Sequence, residues 1–88
     1  MNLENETYCQ EMMRELGLSI SYYRRKKGLS QAQLAEISDI SRQHLGAIES
    51  PKMQRPISIE TFFKIARGLE IEPWKLLKFG YEDPEVTK

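Results

Sequence analysis

Residues 30–50 read Ser30-Gln31-Ala32-Gln33-Leu34-Ala35-Glu36-Ile37-Ser38-Asp39-Ile40-Ser41-Arg42-Gln43-His44-Leu45-Gly46-Ala47-Ile48-Glu49-Ser50. Two helix starts lie in this stretch. Ser30, with Gln33 three residues on, is a capping box, in which the hydroxyl and the amide each satisfy a backbone N–H that the first turn leaves unpaired. It opens a helix running through about Ser38, with Leu34 and Ile37 on its apolar side and Ala35 between them. Ser41 is the cap of the next helix, whose Leu45 and Ile48 fall on one face at helical spacing. Pro51 then stops it, because the residue before a proline is pushed out of the helical region.

Only about three residues around Asp39 separate the two helices, enough for a sharp crossing. Two helices joined by a turn of 3–4 residues define a helix-turn-helix. At such a corner the helices touch, which requires a small residue, and Ala35 supplies it. The turn demands a left-handed backbone, most easily glycine. Asp39 is the next most tolerable kind of residue, since its side chain can hydrogen-bond locally. Leu34, Ile40, Leu45 and Ile48 are predicted to close a small core across the corner.

Three further helices are expected around this pair. Upstream, Met12/Met13, Leu16, Ile20 and Tyr23 step by three and four, and Arg24-Arg25-Lys26-Lys27 before Gly28 is a C-terminal signature. Residues 1–13 are expected to form an N-terminal extension, partly helical and continuous with this first helix. Downstream, Pro51 to Pro56 reads as a loop. Ser58 caps a fourth helix with Ile59, Phe62, Phe63, Ala66 and Leu69 as a broad apolar stripe. Glu72-Pro73 starts a fifth, which Gly80 ends, and residues 80–88 form a tail. No strand or hairpin signal occurs. The expectation is an all-α, five-helix domain over residues 14–79. The Met12-Met13 and Phe62-Phe63 pairs are read as core packing. Trp74, Leu77, Phe79 and Tyr81 either cap the core or form a dimer surface.

On a helical wheel of the third helix, Leu45 and Ile48 point inward. Gln43 and Ser50 lie nearly opposite, Gly46 and Ala47 flank them, and Arg42 sits at one edge. This outer face is polar in its first turn and bare in its middle, where a solvated helix would carry Lys, Glu or Arg. Gly46 costs the helix roughly 0.8–1.0 kcal/mol against alanine. A bare face suits a helix lying against another surface, such as the major groove of B-DNA, where Gln pairs with adenine, Arg with guanine and an alanine methyl with thymine. Arg42, Gln43, Gly46 and Ala47 are therefore the candidate base contacts. Ser30, Lys26, Lys27, His44, Ser50, Lys52 and Arg55 are the candidate backbone contacts.

Composition bounds the alternatives. The 88 residues allow one modest core, and 13 basic and 13 acidic residues cancel. Their distribution is uneven. Residues 1–23 carry a balance of −3, residues 24–55 one of +4, and residues 56–88 one of −1. The positive charge thus surrounds the helix pair, as suits a polyanion. One cysteine (Cys9) and one histidine (His44) make a disulfide framework or a Cys/His zinc site unexpected, and no metal or other cofactor is expected. The N-terminus is acidic rather than basic-then-apolar, and no apolar run approaches the ~20 residues of a membrane span, so a cytoplasmic protein without membrane contact is expected. No paired carboxylates suggest an enzyme.

The stretch 30–50 resembles the helix-turn-helix of the Xre/Cro-type, lambda repressor-like DNA-binding family. That family's pattern is matched by Ser30-Gln31, Leu34-Ala35-Glu36, Asp39-Ile40-Ser41 and Ile48-Glu49. Leu16-Gly17, Ile20 and Tyr23-Arg24 match outside the motif, as do residues 56–77. The resemblance implies that Gln31 meets a DNA phosphate and braces the first recognition residue. It also implies that Arg42, Gln43 and the Gly46/Ala47 surface face bases, and that Arg24 and Glu49 form an internal ion pair. Asp39 departs from the usual turn glycine, and Ser50-Pro51 from the usual residues after the glutamate. Two functions follow. One is a transcriptional regulator, a repressor binding a palindromic double-stranded DNA operator as a homodimer. The alternative is an antitoxin, or another protein-interaction module on the same scaffold, with a toxin as partner.

Overall fold

In the computed structural model of the chain, residues 3–52 and 56–79 are described. Among the described residues five helices follow in order: α1 (Leu3–Lys26), α2 (Gln31–Ser38), α3 (Arg42–Glu49), α4 (Ile59–Leu69) and α5 (Pro73–Leu76). Three serines start helices in the same way. Ser30 Oγ accepts from the Gln33 N–H at 3.0 Å, Ser41 Oγ from His44 at 2.9 Å, and Ser58 Oγ from Thr61 at 3.0 Å. Gln33 Oε1 accepts from the Ser30 N–H at 2.8 Å and completes the expected box. Each such cap contributes about 1 kcal/mol.

The ends of α1, α2 and α4 also share one device. Gly28 (φ 76°), Asp39 (φ 59°) and Glu70 (φ 60°) are left-handed. The next N–H in each case returns to a carbonyl five residues back: Leu29 to Arg24 at 3.1 Å, Ile40 to Ala35 at 3.0 Å, Ile71 to Ala66 at 3.1 Å. The apolar residue that follows each left-handed position then packs against the core, the usual companion of this cap. At Asp39 the L-residue bears a steric cost that glycine avoids. Its exposed 3.8 Å contact with Lys64 offsets little of that cost. Asp39→Gly should therefore raise stability by about 0.5–1 kcal/mol. A thermal melt checks this, and a lowered midpoint would mean that the carboxylate itself holds the turn.

The core gathers Leu16 and Ile20 from α1, Leu34 and Ala35 from α2, Leu45 and Ile48 from α3, Phe62, Ile65, Ala66 and Leu69 from α4, and Leu76 and Phe79. Leu34, Ala35, Leu45 and Ile48 close the corner as expected, with Ile40 at its margin. Three apolar residues expected inside are exposed instead: Ile37, Ile59 and Phe63. In α4 the buried set Phe62, Ile65, Ala66 and Leu69 is a complete i, i+3, i+4, i+7 stripe, which leaves Ile59 and Phe63 on its flank. In α2 the buried side is Leu34, Ala35 and Ser38, one step round from Ile37.

Helix α1 meets α3 backbone to backbone at Gly17. A Cβ built there would overlap the Ile48 carbonyl oxygen and approach the Glu49 Cα to 3.4 Å. Helix α5 is shorter than the sequence suggests. Leu77, not Gly80, closes it, with i→i+3 bonds from Leu77 to Trp74 at 3.1 Å and from Lys78 to Lys75 at 3.3 Å. The chain is then free to bring Phe79 back against α1.

Candidate nucleic-acid interface

The C-terminal end of α3 is held from two sides. Glu49 is buried and pairs in two-pronged fashion with the buried Arg24 of α1, Nε to Oε2 at 2.8 Å and Nη2 to Oε1 at 3.0 Å. Arg24 Nη1 also donates to the Leu29 carbonyl at 2.8 Å. From α2, Gln31 Nε2 donates to Glu49 Oε1 at 3.0 Å. One carboxylate therefore ties together the first three helices, and the expected Arg24–Glu49 pair is present. The Leu29 carbonyl was not foreseeable, since no residue type marks a loop carbonyl as a guanidinium acceptor. The bond from the Gln31 amide to Glu49 is a further role that the sequence pattern did not announce.

The opposite end of α3 is open. Ser41 fixes the first turn through the His44 N–H, and Arg42 and Gln43 project from it exposed, with His44 half-buried. Gly46 is half-buried under Gln31. A Cβ there would meet only Gln31 Oε1, at an ordinary 3.6 Å. The middle of the helix is bare partly because Gln31 lies over it, and a methyl group fits.

Ala47 corrects the wheel. It is 7 % exposed and is withdrawn as a base contact. Both α1 and α2 pack on α3, so the buried arc of its C-terminal half takes in Leu45, Ala47, Ile48 and Glu49 rather than the single direction that Leu45 and Ile48 define.

The remaining candidates divide. Ser30 is exposed at the start of α2, Ser50 caps the end of α3, and Lys52 is exposed just beyond it. Arg55 lies outside the described residues. Lys26 and Lys27, both exposed, line a groove with Lys75 and Lys78 and with Tyr23, Leu69, Ile71 and Trp74. Lys27 Nζ lies 2.6 Å from Glu70 Oε1, and that hydrogen bond and charge hold the Glu70 carboxyl below the usual carboxylate range. Lys26 Nζ sits 5.7 Å from the Tyr22 ring centre. Lys75 and Lys78, 49 and 51 positions beyond Lys26 and Lys27 in turn, join that groove only through the fold, so the sequence offered no signal for it. On the C-terminal side, Trp74 and Leu77 are exposed, at 57 % and 50 %. Phe79 is withdrawn from the candidate dimer surface: at 9 % exposure it is core, carried there by the early end of α5. Tyr81 lies outside the described residues.

Among the described residues, no group of three or more His, Cys, Asp or Glu is placed to hold a metal ion. Among the same residues, no helix is long and apolar enough to cross a membrane.

A family model for the helix-turn-helix matches residues 20–73, more than half of the chain. This chain belongs to the helix-turn-helix family. Within it, the control protein C.SmaI of Serratia marcescens is 36% identical over 62 residues, which span 70% of this chain and 71% of that protein. The crystal structure of the restriction-modification controller protein C.AhdI from Aeromonas hydrophila is similar with a TM-score of 0.68 and 36% identity, covering 73% of this chain and 94% of that one. The structure of C.Esp1396I bound to a 25 base pair operator site is similar with a TM-score of 0.67 and 26% identity, covering 75% and 88%. These helix-turn-helix relatives thus include one solved on operator DNA.

Proposed function

We propose that this chain is a sequence-specific double-stranded DNA-binding transcriptional regulator, a repressor that reads its operator through the first turn of α3 in the major groove. The observation that carries this reading is the division of α3: its C-terminal end is tied inside through Glu49, while Arg42 and Gln43 stand exposed on a serine-capped first turn. The likeness to C.Esp1396I on its operator supports it. Arg42, Gln43 and the Gly46 surface meet bases. Ser30, Gln31, His44, Ser50 and Lys52 lie toward the phosphates. The protein acts in the cytoplasm and without a catalytic step.

One eight-residue helix reads few bases, so useful specificity requires two half-sites about one helical turn apart, roughly 34–36 Å, and hence a dimer. Trp74 and Leu77 are the surface for it.

Selection from randomised duplexes, followed by titration of variants, tests the proposal. Binding should weaken as salt rises, because phosphate contacts release counterions. Gln43→Ala should lose discrimination at one base pair of each half-site, costing about 1–3 kcal/mol there. Equal weakening on all sequences would remove Gln43 from base readout. No selected sequence at all would favour a protein partner instead.

A further inference from the structure

Among the described residues, helix α1 has a second face that is largely exposed, bordered only at Glu15, Leu18 and Tyr22 by a groove shared with Lys78 and Phe79. Its core side is Leu16, Ile20 and Arg24, with Gly17 against α3. Roughly opposite, Tyr8, Glu11, Glu15, Leu18, Tyr22 and Arg25 follow at steps of three and four, all exposed except the half-buried Glu15. Steps of three and four are the seam spacing of paired helices. Exposed Tyr8, Leu18 and Tyr22 are too apolar and too regularly placed for a face meant only for water.

The charge on this helix is divided end to end. Glu4, Glu6, Glu11 and Glu15, with Arg14 as the single cation among them, occupy the N-terminal part, and Arg25 and Lys26 the C-terminal end beside Arg24, which is buried against Glu49. A parallel partner would set acid against acid. An antiparallel copy sets each acidic end against a basic one and also opposes the helix dipoles. We propose that α1 pairs antiparallel with α1 of a second copy of this chain, through the seam from Tyr8 to Arg25.

The seam fixes the register. Tyr8 faces Arg25 of the second copy, Glu11 faces Tyr22, and Glu15 faces Leu18, with each contact repeated by the twofold axis. Arg25 then lies over an aromatic face, and the Tyr22 hydroxyl is in position to donate to Glu11. Glu4 and Glu11 bracket Arg25 and Lys26 of the second copy. The stem of Glu15 covers Leu18 while its carboxylate reaches water. Because the seam is turned away from α3, pairing leaves both first turns of α3 uncovered. This contact is separate from Trp74 and Leu77, so it stands or falls independently of the operator-bound dimer.

Cys9, the single cysteine of the chain, is exposed and lies off the seam, so a spin label there reports the orientation without any substitution. At about 1.5 Å rise per residue, the antiparallel register places two labels roughly 25–30 Å apart. Dipolar spectroscopy on the full chain without DNA should show that distance, and sedimentation should show a mass that doubles with concentration. Glu4→Lys with Glu11→Lys should weaken the pairing about tenfold or more, as should Arg25→Glu with Lys26→Glu. All four together should restore it. A label distance under roughly 15 Å would indicate a parallel pair and overturn the proposal. So would a four-charge variant as weak as either pair, or a monomer at every concentration. Association that follows Trp74→Ser and Leu77→Ser, but ignores the charge reversals, would overturn it as well and place all self-association on α5.

Discussion

Gly17→Ala is expected to destabilise the protein by about 3 kcal/mol, against a helix-propensity gain of at most about 1 kcal/mol. The added Cβ overlaps the Ile48 carbonyl oxygen, a backbone atom that no rotamer change can move aside. Either α1 and α3 separate along their contact or the last turn of α3 distorts. In a domain of this size the loss corresponds to a fall in melting temperature of roughly 12–24 °C. Gly46→Ala is the matched control. It also replaces a mid-helix glycine, but its methyl meets only a side-chain oxygen at 3.6 Å, so its net effect should be neutral to stabilising. Urea melts of the two variants side by side read the difference. If Gly17→Ala melts at or above the parent, α1 and α3 do not approach this closely.

Glu49→Ala should cost still more, about 3–5 kcal/mol, because it leaves the Arg24 guanidinium buried with only the Leu29 carbonyl and removes the acceptor of Gln31. Arg24→Lys should also be costly, since an ammonium cannot reproduce the two-pronged geometry. Replacing both partners by apolar residues of similar volume, Arg24→Met with Glu49→Leu, should recover a large part of the loss, because no buried charge is then left alone. A double-mutant cycle by chemical denaturation measures the coupling. Near-additive losses in the double variant would show that the two side chains act separately.

The parts of this architecture that the sequence made legible are those decided within one turn of chain. Ser30, Ser41 and Ser58 each cap as the local pattern predicts, and Asp39 takes the left-handed conformation that a three-residue corner demands. Glu70 adopts the same conformation with no glycine or asparagine to announce it. The misreadings concern what covers a helix from outside. Ala47 looked outward on a wheel because two apolar residues define one direction, whereas two neighbouring helices enclose an arc. For Phe79 the choice between core cap and dimer surface stayed open in the sequence because its burial depends on where α5 stops, and the structure places it in the core. Lys26 and Lys27 looked like part of the basic middle, but in space they belong with Lys75 and Lys78. Each of these placements is a matter of tertiary neighbourhood, which spacing along a single element does not encode.

The division of α3 has a consequence for how such a protein can diverge. The side chains that hold the helix, Leu45, Ile48 and Glu49, are buried, and each is coupled to residues of α1 or α2. Those at its first turn, Arg42 and Gln43, are exposed, and substitutions at such positions usually shift stability by no more than about 0.5 kcal/mol. Mutation can therefore sample new residues at 42 and 43 almost without a folding penalty. At 46 a Cβ meets only the flexible end of Gln31, at an ordinary 3.6 Å. Duplicated copies of the gene would be free to drift toward different recognition sequences one position at a time, with every intermediate still folded.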